Sequence, residues 1–357
     1  MQSAIESIVE AERFSMPSLA KKVWPLLAAH PQIATLVPEL HDRLGTRFDA
    51  LVFAVLRHVF LIELVKVPAI ETTKFRVRWF PQLNADPRHC EFAECLDIAR
   101  DLLSDLCNGW LDTPENNELL QLFFGYSILP YEVPLDYHER PTATVVRIHR
   151  RGNLLWTSTP TVLRTMKLRK YLMDHSTSPD VVFFKKVLDD KIRVKTYLTD
   201  RVLTGDHKTN REKRWEVHPN SVHFANRRTC LAIEYTLIQQ LCAFEGFPEK
   251  SRQMLQSQGI LPETLPVFRC PITLDPMSFE SFHEQLMNPT HGKSDFQVGH
   301  LNPLKLDDPA ATASGHSPEN ISWVSADGNR IQGSLGLAEV RALLRRVASN
   351  YETRGWV

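Results

Sequence analysis

Three side chains in the C-terminal part of the chain have the types and spacing for hydrolytic chemistry. His300 lies in Gln297–Val298–Gly299–His300–Leu301–Asn302–Pro303, Asn320 opens Asn320–Ile321–Ser322–Trp323–Val324, and Asn329 is followed by Arg330. A neutral imidazole, with a pKa near about 6.5, accepts a proton at cellular pH. An amide oxygen is a hard donor of the kind Mg²⁺ takes. Because Mg²⁺ keeps several waters, one such oxygen and one further ligand can hold it. A proton acceptor beside a hard cation meets the needs of phosphodiester hydrolysis: an activated water, neutralised phosphorane charge and a stabilised leaving oxygen. A single histidine in a strand is more often a core residue satisfied by backbone, so the argument rests on the three residues together.

The elements that must position them are short. Residues 295–301 form an expected strand stopped by Asn302–Pro303, and residues 320–324 an expected second strand. Asp327 reads as the N-cap of a helix whose first turns hold Asn329 to Gln332. In this β, loop, β, α order, residues 265–337 resemble an HNH nuclease of the ββα-metal class. The resemblance implies that His300 is the general base, that Asn320 ties down the loop and so orients His300, and that Asn329 binds one divalent metal, Mg²⁺ with Mn²⁺ as a substitute. The class usually places an acidic or histidine ligand immediately before the base, and here that residue is Gly299. Gln297 shares the strand face of Gly299 and is the nearest replacement metal ligand. Asp295 lies about 13 Å of strand from position 299 and is a poor substitute. Asp327 and His316 are further alternatives, as is Asn329 alone with waters. Arg330 is a candidate for holding the scissile phosphate, with Lys305 a weaker one, and Trp323 reads as strand core. No zinc is expected, because Cys270 has no second thiolate nearby and His283 and His291 do not complete a closed set.

Composition supports a polyanionic partner. The 357 residues carry 42 basic and 42 acidic side chains, so the net charge is +0. The distribution is uneven: residues 147–228 hold 19 Lys and Arg against 8 Asp and Glu. Such a block suits a phosphate backbone, although solvated helix faces would also account for it. Within it, Arg150 and Arg151 occupy an expected turn, while Lys208, Arg211, Lys213 and Arg214 precede Trp215 in a polar loop suited to phosphate contact. These six are the candidate DNA-binding residues, with double-stranded DNA as the expected partner. The six cysteines form no CxxC pair, which fits a reducing, cytoplasmic setting. The first residues show no secretory signal. The apolar run 51–67 is interrupted by Arg57, His58, Glu63 and Lys66, so it reads as a buried helix rather than a membrane span, and no membrane partner is expected.

The expected class is α+β, in three regions: a helical domain over 1–135, a basic mixed α/β region over 136–260 and the nuclease module over 261–357. Helices are expected from Ile5, over Phe48–Val65, Leu96–Leu111, Leu163–Met173 and Thr229–Phe244. Strands are expected at Thr144–Ile148 and Leu154–Thr157, joined by the 150–153 turn, and at Val181–Phe184 and Ile192–Tyr197. The resemblance implies a metal-dependent endonuclease. The 260 residues before the module exceed what backbone binding needs, and suit a type II restriction enzyme reading a specific duplex site as a homodimer. A homing, nicking or phage-defence nuclease, or a non-catalytic DNA-binding protein on a degenerate HNH fold, are the alternatives. Neutralising Lys208, Arg211, Lys213 and Arg214 together is expected to weaken DNA binding and to flatten its log–log salt dependence by roughly 0.9 for each phosphate no longer neutralised. Binding titrations across a salt series check this. Unchanged affinity and slope would make the block a solvated surface.

Overall fold

The computed structural model describes all residues except 12, 68–71, 82–88, 110–111, 126–136, 140–145, 149–159, 193–226, 291–293, 304–316 and 357. The six candidate DNA-binding residues, together with Lys305, His291 and His316, lie outside the described residues. Among those described, the chain forms two compact units, residues 1–166 and residues 167–192 with 227–356. The class is α+β: helices dominate, and the strands pair as three antiparallel two-stranded hairpins. No helix among the described residues is long and apolar enough to cross a membrane.

The first unit opens with α1 (Gln2–Ala11), α2 (Met16–Ala28), the single turn α3 (Pro31–Ala34), α4 (Val37–Leu44) and α5 (Phe48–Val55). Pro17 near the start of α2 and Pro31 at the start of α3 enter where no intrahelical N–H is required, and Ser15 caps α2 by accepting from Ser18 N. The expected helix over 48–65 ends early. After Val55 it widens into a π turn over Leu56–Phe60, and the chain becomes strand β1 (Leu61–Val67), paired with β2 (Thr72–Val77). A continuous apolar run fits a buried helix and a buried strand equally well, so periodicity alone could not separate them. The helix expected over 96–111 is α6 (Phe92–Cys107), started by a capping box between Glu91 and Glu94. Next come α7 (Pro114–Gly125), β3 (Tyr137–Glu139) and β4 (Val146–Ile148). β4 pairs with the upstream β3, and residues 154–157, expected as the neighbouring strand, lie outside the described residues. Arg43 joins α4 to the end of α6, donating to Cys107 O at 2.5 Å and pairing with Asp112 at 2.7 Å.

Helix α8 (Pro160–Asp174) spans the boundary between the units. In the second unit, Val181–Phe184 lies inside helix α9 (Pro179–Val187), not in a strand. Ser178 accepts from Val181 N and Pro179 takes the first helical position, a start signal stronger than the β-propensity of four residues. Ile192 ends a π turn over Leu188–Ile192, and the rest of the strand expected there, 193–197, lies outside the described residues. α10 (Arg227–Cys242), α11 (Glu249–Ser257) and α12 (Phe279–Met287) lead to β5 (Phe296–His300), β6 (Ile321–Ser325), α13 (Ala326–Gln332) and α14 (Leu337–Thr353).

The core of this unit is aromatic. Phe244 is fully buried, with the rings of Phe268, Phe282, Phe296 and Trp323 centred 5.7–6.3 Å away. These rings come from a loop, a helix and both strands of the β5–β6 hairpin, so one side chain ties the hairpin to its support. Phe244→Ala is expected to cost about 3–5 kcal/mol, through reduced burial and a cavity that rigid rings cannot refill. A denaturant midpoint shift with an unchanged m-value is the check, and a loss below about 1 kcal/mol would show that the cluster repacks.

Candidate active site

Strand alternation sorts the residues of β5. Phe296 and Val298 are buried, while Gln297 and Gly299 share the opposite face. The β6 partners are Ser325 for Phe296, Val324 for Gln297, Trp323 for Val298, Ser322 for Gly299 and Ile321 for His300. Helix α10 satisfies the outer side of β6. Gln240 Oε1 accepts from Trp323 N at 3.0 Å and from Ser322 Oγ at 3.2 Å, and the Trp323 indole donates to Leu237 O at 2.8 Å.

The strand passes into α13 without a linker. Ser325, the last residue of β6, is the N-cap, its Oγ accepting from Gly328 N at 3.0 Å. Asp327, expected as the cap, instead sits exposed in the first turn and pairs with Arg330 at 2.8 Å. The serine at the strand end has the cap geometry that the aspartate lacks. Ser325 also donates through N and Oγ to Cys270 Sγ, at 3.4 and 3.3 Å. Cys270 is buried in a tight turn over residues 268–277, where its N–H donates to Asp275 O. Burial raises its thiol pKa, but the hydrogen bonds from Ser325 and Thr273 together outweigh that and leave it below the ordinary value. A Cβ on Gly328 would lie 2.9 Å from both Cys270 Sγ and Ser325 Oγ, so this first turn accepts only glycine without displacement.

Asn329 follows one turn into the helix. Its Nδ2 donates to Gln297 Oε1 at 2.6 Å, and its Oδ1 lies 3.6 Å from where a Cβ on Gly299 would stand. Gln332, one turn further and buried, sets its Nε2 within 2.9–3.1 Å of the carbonyls of His300, Leu301 and Leu335. One helix therefore bonds to positions 297, 300 and 301 and lies alongside 299. At the loop, Leu301 N donates to Asn320 O at 2.8 Å, carrying the hairpin ladder one bond past His300. Asn320, which is buried, accepts from Asn302 N at 2.8 Å and donates to Asn302 O at 3.0 Å. Asn302 Oδ1 in turn accepts from Leu337 N at the start of α14.

The structure thus gathers Gln297, Gly299 and Asn329, while His300 ends the same strand with its carbonyl held by Gln332, and Asn320 lies on the loop that follows it. His300 is half-buried. It does not gather Arg330, whose exposed guanidinium is paired with Asp327, nor Asp295. The latter sits at the far end of β5, where Gln285 receives its N–H and donates to its carboxylate at 2.7 Å. Among the described residues, no group of three or more His, Cys, Asp or Glu converges on one point. Sequence reasoning missed Gln332, Gln240 and Ser325. Gln332 had one usable signal, its position three residues after Asn329 on the same helical stripe.

No family model matches this chain, and no curated protein does. Among solved structures, a chain titled as a type II restriction endonuclease aligns with a TM-score of 0.32 and 16% identity, over 51% of this chain and 82% of that one. A TM-score of 0.32 lies below what a shared fold requires, so the site must be read from its own residues.

Asn320→Ala removes both bonds to Asn302 and is expected to cost about 1–3 kcal/mol. Amide hydrogen exchange at Asn302 should accelerate with it. Unchanged exchange would mean that the loop is held elsewhere.

Proposed function

We propose that the chain is a metal-dependent endonuclease of double-stranded DNA, of the HNH type, acting at specific sites as a restriction enzyme does. The observation that carries the reading is the placement of Asn329. It sets an amide oxygen against the residue before His300, while Gln332 on the same helix fixes the His300 carbonyl. Successive strand side chains point to opposite faces, so a base at position 300 would act on a phosphate beside a cation at position 299 with its imidazole turned past the end of the strand, where β5 stops.

The donor set fits a hard ion. Asn329 Oδ1 is a neutral oxygen directed at a residue with no side chain, and Mg²⁺ accepts a few protein oxygens with water completing its shell. When bound, the ion would supply positive charge at the non-bridging and leaving oxygens. The protein's own part is the proton transfer. His300 Nε2 or Nδ1 takes a proton from the attacking water, and the Asn320 and Gln332 bonds hold the strand end on which the imidazole sits. Arg330 would have to leave Asp327 to reach a phosphate, an exchange that an exposed ion pair permits at small cost. A symmetric site would call for a homodimer, since one such centre cuts one strand. The free thiols match a reducing, cytoplasmic setting.

Gly299 favours a second reading, a DNA-binding protein that does not cut, because a metal ligand is missing there. Incubation with phage DNA and Mg²⁺ separates the two: discrete bands support restriction, rare cuts or nicks support a homing or nicking enzyme, and a shifted uncut band supports binding alone. His300→Ala is expected to lower cleavage about 10²–10⁴-fold while leaving DNA affinity unchanged. Wild-type turnover by that variant would remove His300 from the mechanism.

A further inference from the structure

We infer that Gln297 is a positioning residue: it fixes which end of the Asn329 amide faces the cation, and supplies no ligand of its own. The inference rests on the metal-dependent reading above. A carboxamide is chemically two-ended, with an oxygen that accepts and an NH₂ that donates. Only the oxygen end can hold a cation, and a reversed amide would present N–H groups to it. The two ends of Asn329 meet two successive same-face positions of β5. The nitrogen goes to Gln297 Oε1 at 2.6 Å, and the oxygen goes to Gly299, 3.6 Å from its Cβ direction. Reversing Asn329 alone would set its oxygen against that of Gln297 at this distance, so the oxygen of Asn329 can leave Gly299 only if both amides turn together. Groups that orient a metal ligand typically affect affinity 10–100-fold when removed.

The test is Mn²⁺ binding to the full chain without DNA, followed by loss of the free-ion electron paramagnetic resonance signal. Gln297→Met keeps length and removes the acceptor, so its affinity should fall about 10–100-fold. Gln297→Glu keeps an acceptor for Asn329 Nδ2 and should bind at least as tightly as wild type. Asn329→Asp presents equivalent oxygens and needs no orienting, so adding Gln297→Met to it should change nothing. If the double variant instead loses as much relative to Asn329→Asp as Gln297→Met loses relative to wild type, Gln297 is a ligand and the inference is overturned. It is also overturned if Gln297→Met binds as wild type does, or if Gln297→Glu falls with it. Absence of Mn²⁺ uptake by wild-type protein would overturn the metal-dependent reading itself, a result distinct from all of these.

Discussion

A two-stranded hairpin cannot stand alone in water, and the candidate site is built on one. Two strands bury too little apolar surface, and each presents an unpaired edge. The second unit answers both problems with side chains. Gln240 of α10 takes the outward N–H of Trp323, and the indole of Trp323 donates back to the same helix. Below, Phe244 gathers rings from both strands and from α12. Leu301 N extends the ladder past His300 only because Asn320 lies opposite, and the Asn320 side chain then closes the loop. Asn329 and Gln332 of α13 then bond to Gln297 and to the carbonyls of His300 and Leu301.

The bonds that organise the site are neutral. Asn, Gln, Ser and Cys side chains make them, and the formal charges on α13, Asp327 and Arg330, are exposed and paired with each other. Buried charges would need compensation here, whereas amides satisfy donors and acceptors without it. A cation held by one neutral oxygen is held less firmly than one held by carboxylates.

Much of the hairpin was legible because its pattern is short and local. Asn302–Pro303 stops one strand, and the buried Ile321–Val324 run marks the other. The spacing to Asn329 follows from a strand that leads directly into a helix. Less legible were elements whose apolar runs carry no period. Val181–Phe184 has strand residues in a helix fixed by Ser178 and Pro179, and residues 61–65 have helix-like continuity in a strand. The bracing glutamines were invisible for a different reason. Gln240 and Gln332 look like any polar residue until the fold places a backbone group before them, and Asp327 looked like a better cap than Ser325 until the end of β6 was fixed. Hydrogen-bond partners distant in sequence leave no local trace.

The two glycines at the junction of hairpin and helix have different causes. At Gly328 a side chain would collide with Cys270 Sγ and Ser325 Oγ, both at 2.9 Å, and these atoms are the pin that joins the 268–277 turn to the helix start. Packing requires that glycine. At Gly299 the nearest atom to a Cβ is Val324 Cγ2 at 3.1 Å, on a fully buried side chain that would have to give by a few tenths of an ångström, with Asn329 Oδ1 next at 3.6 Å. The approach at Gly299 is therefore less close than at Gly328. A carboxylate there would stand directly against Asn329 Oδ1, where two oxygens repel unless a cation lies between them. On the proposed reading, glycine leaves the space beside Asn329 Oδ1 open to a cation.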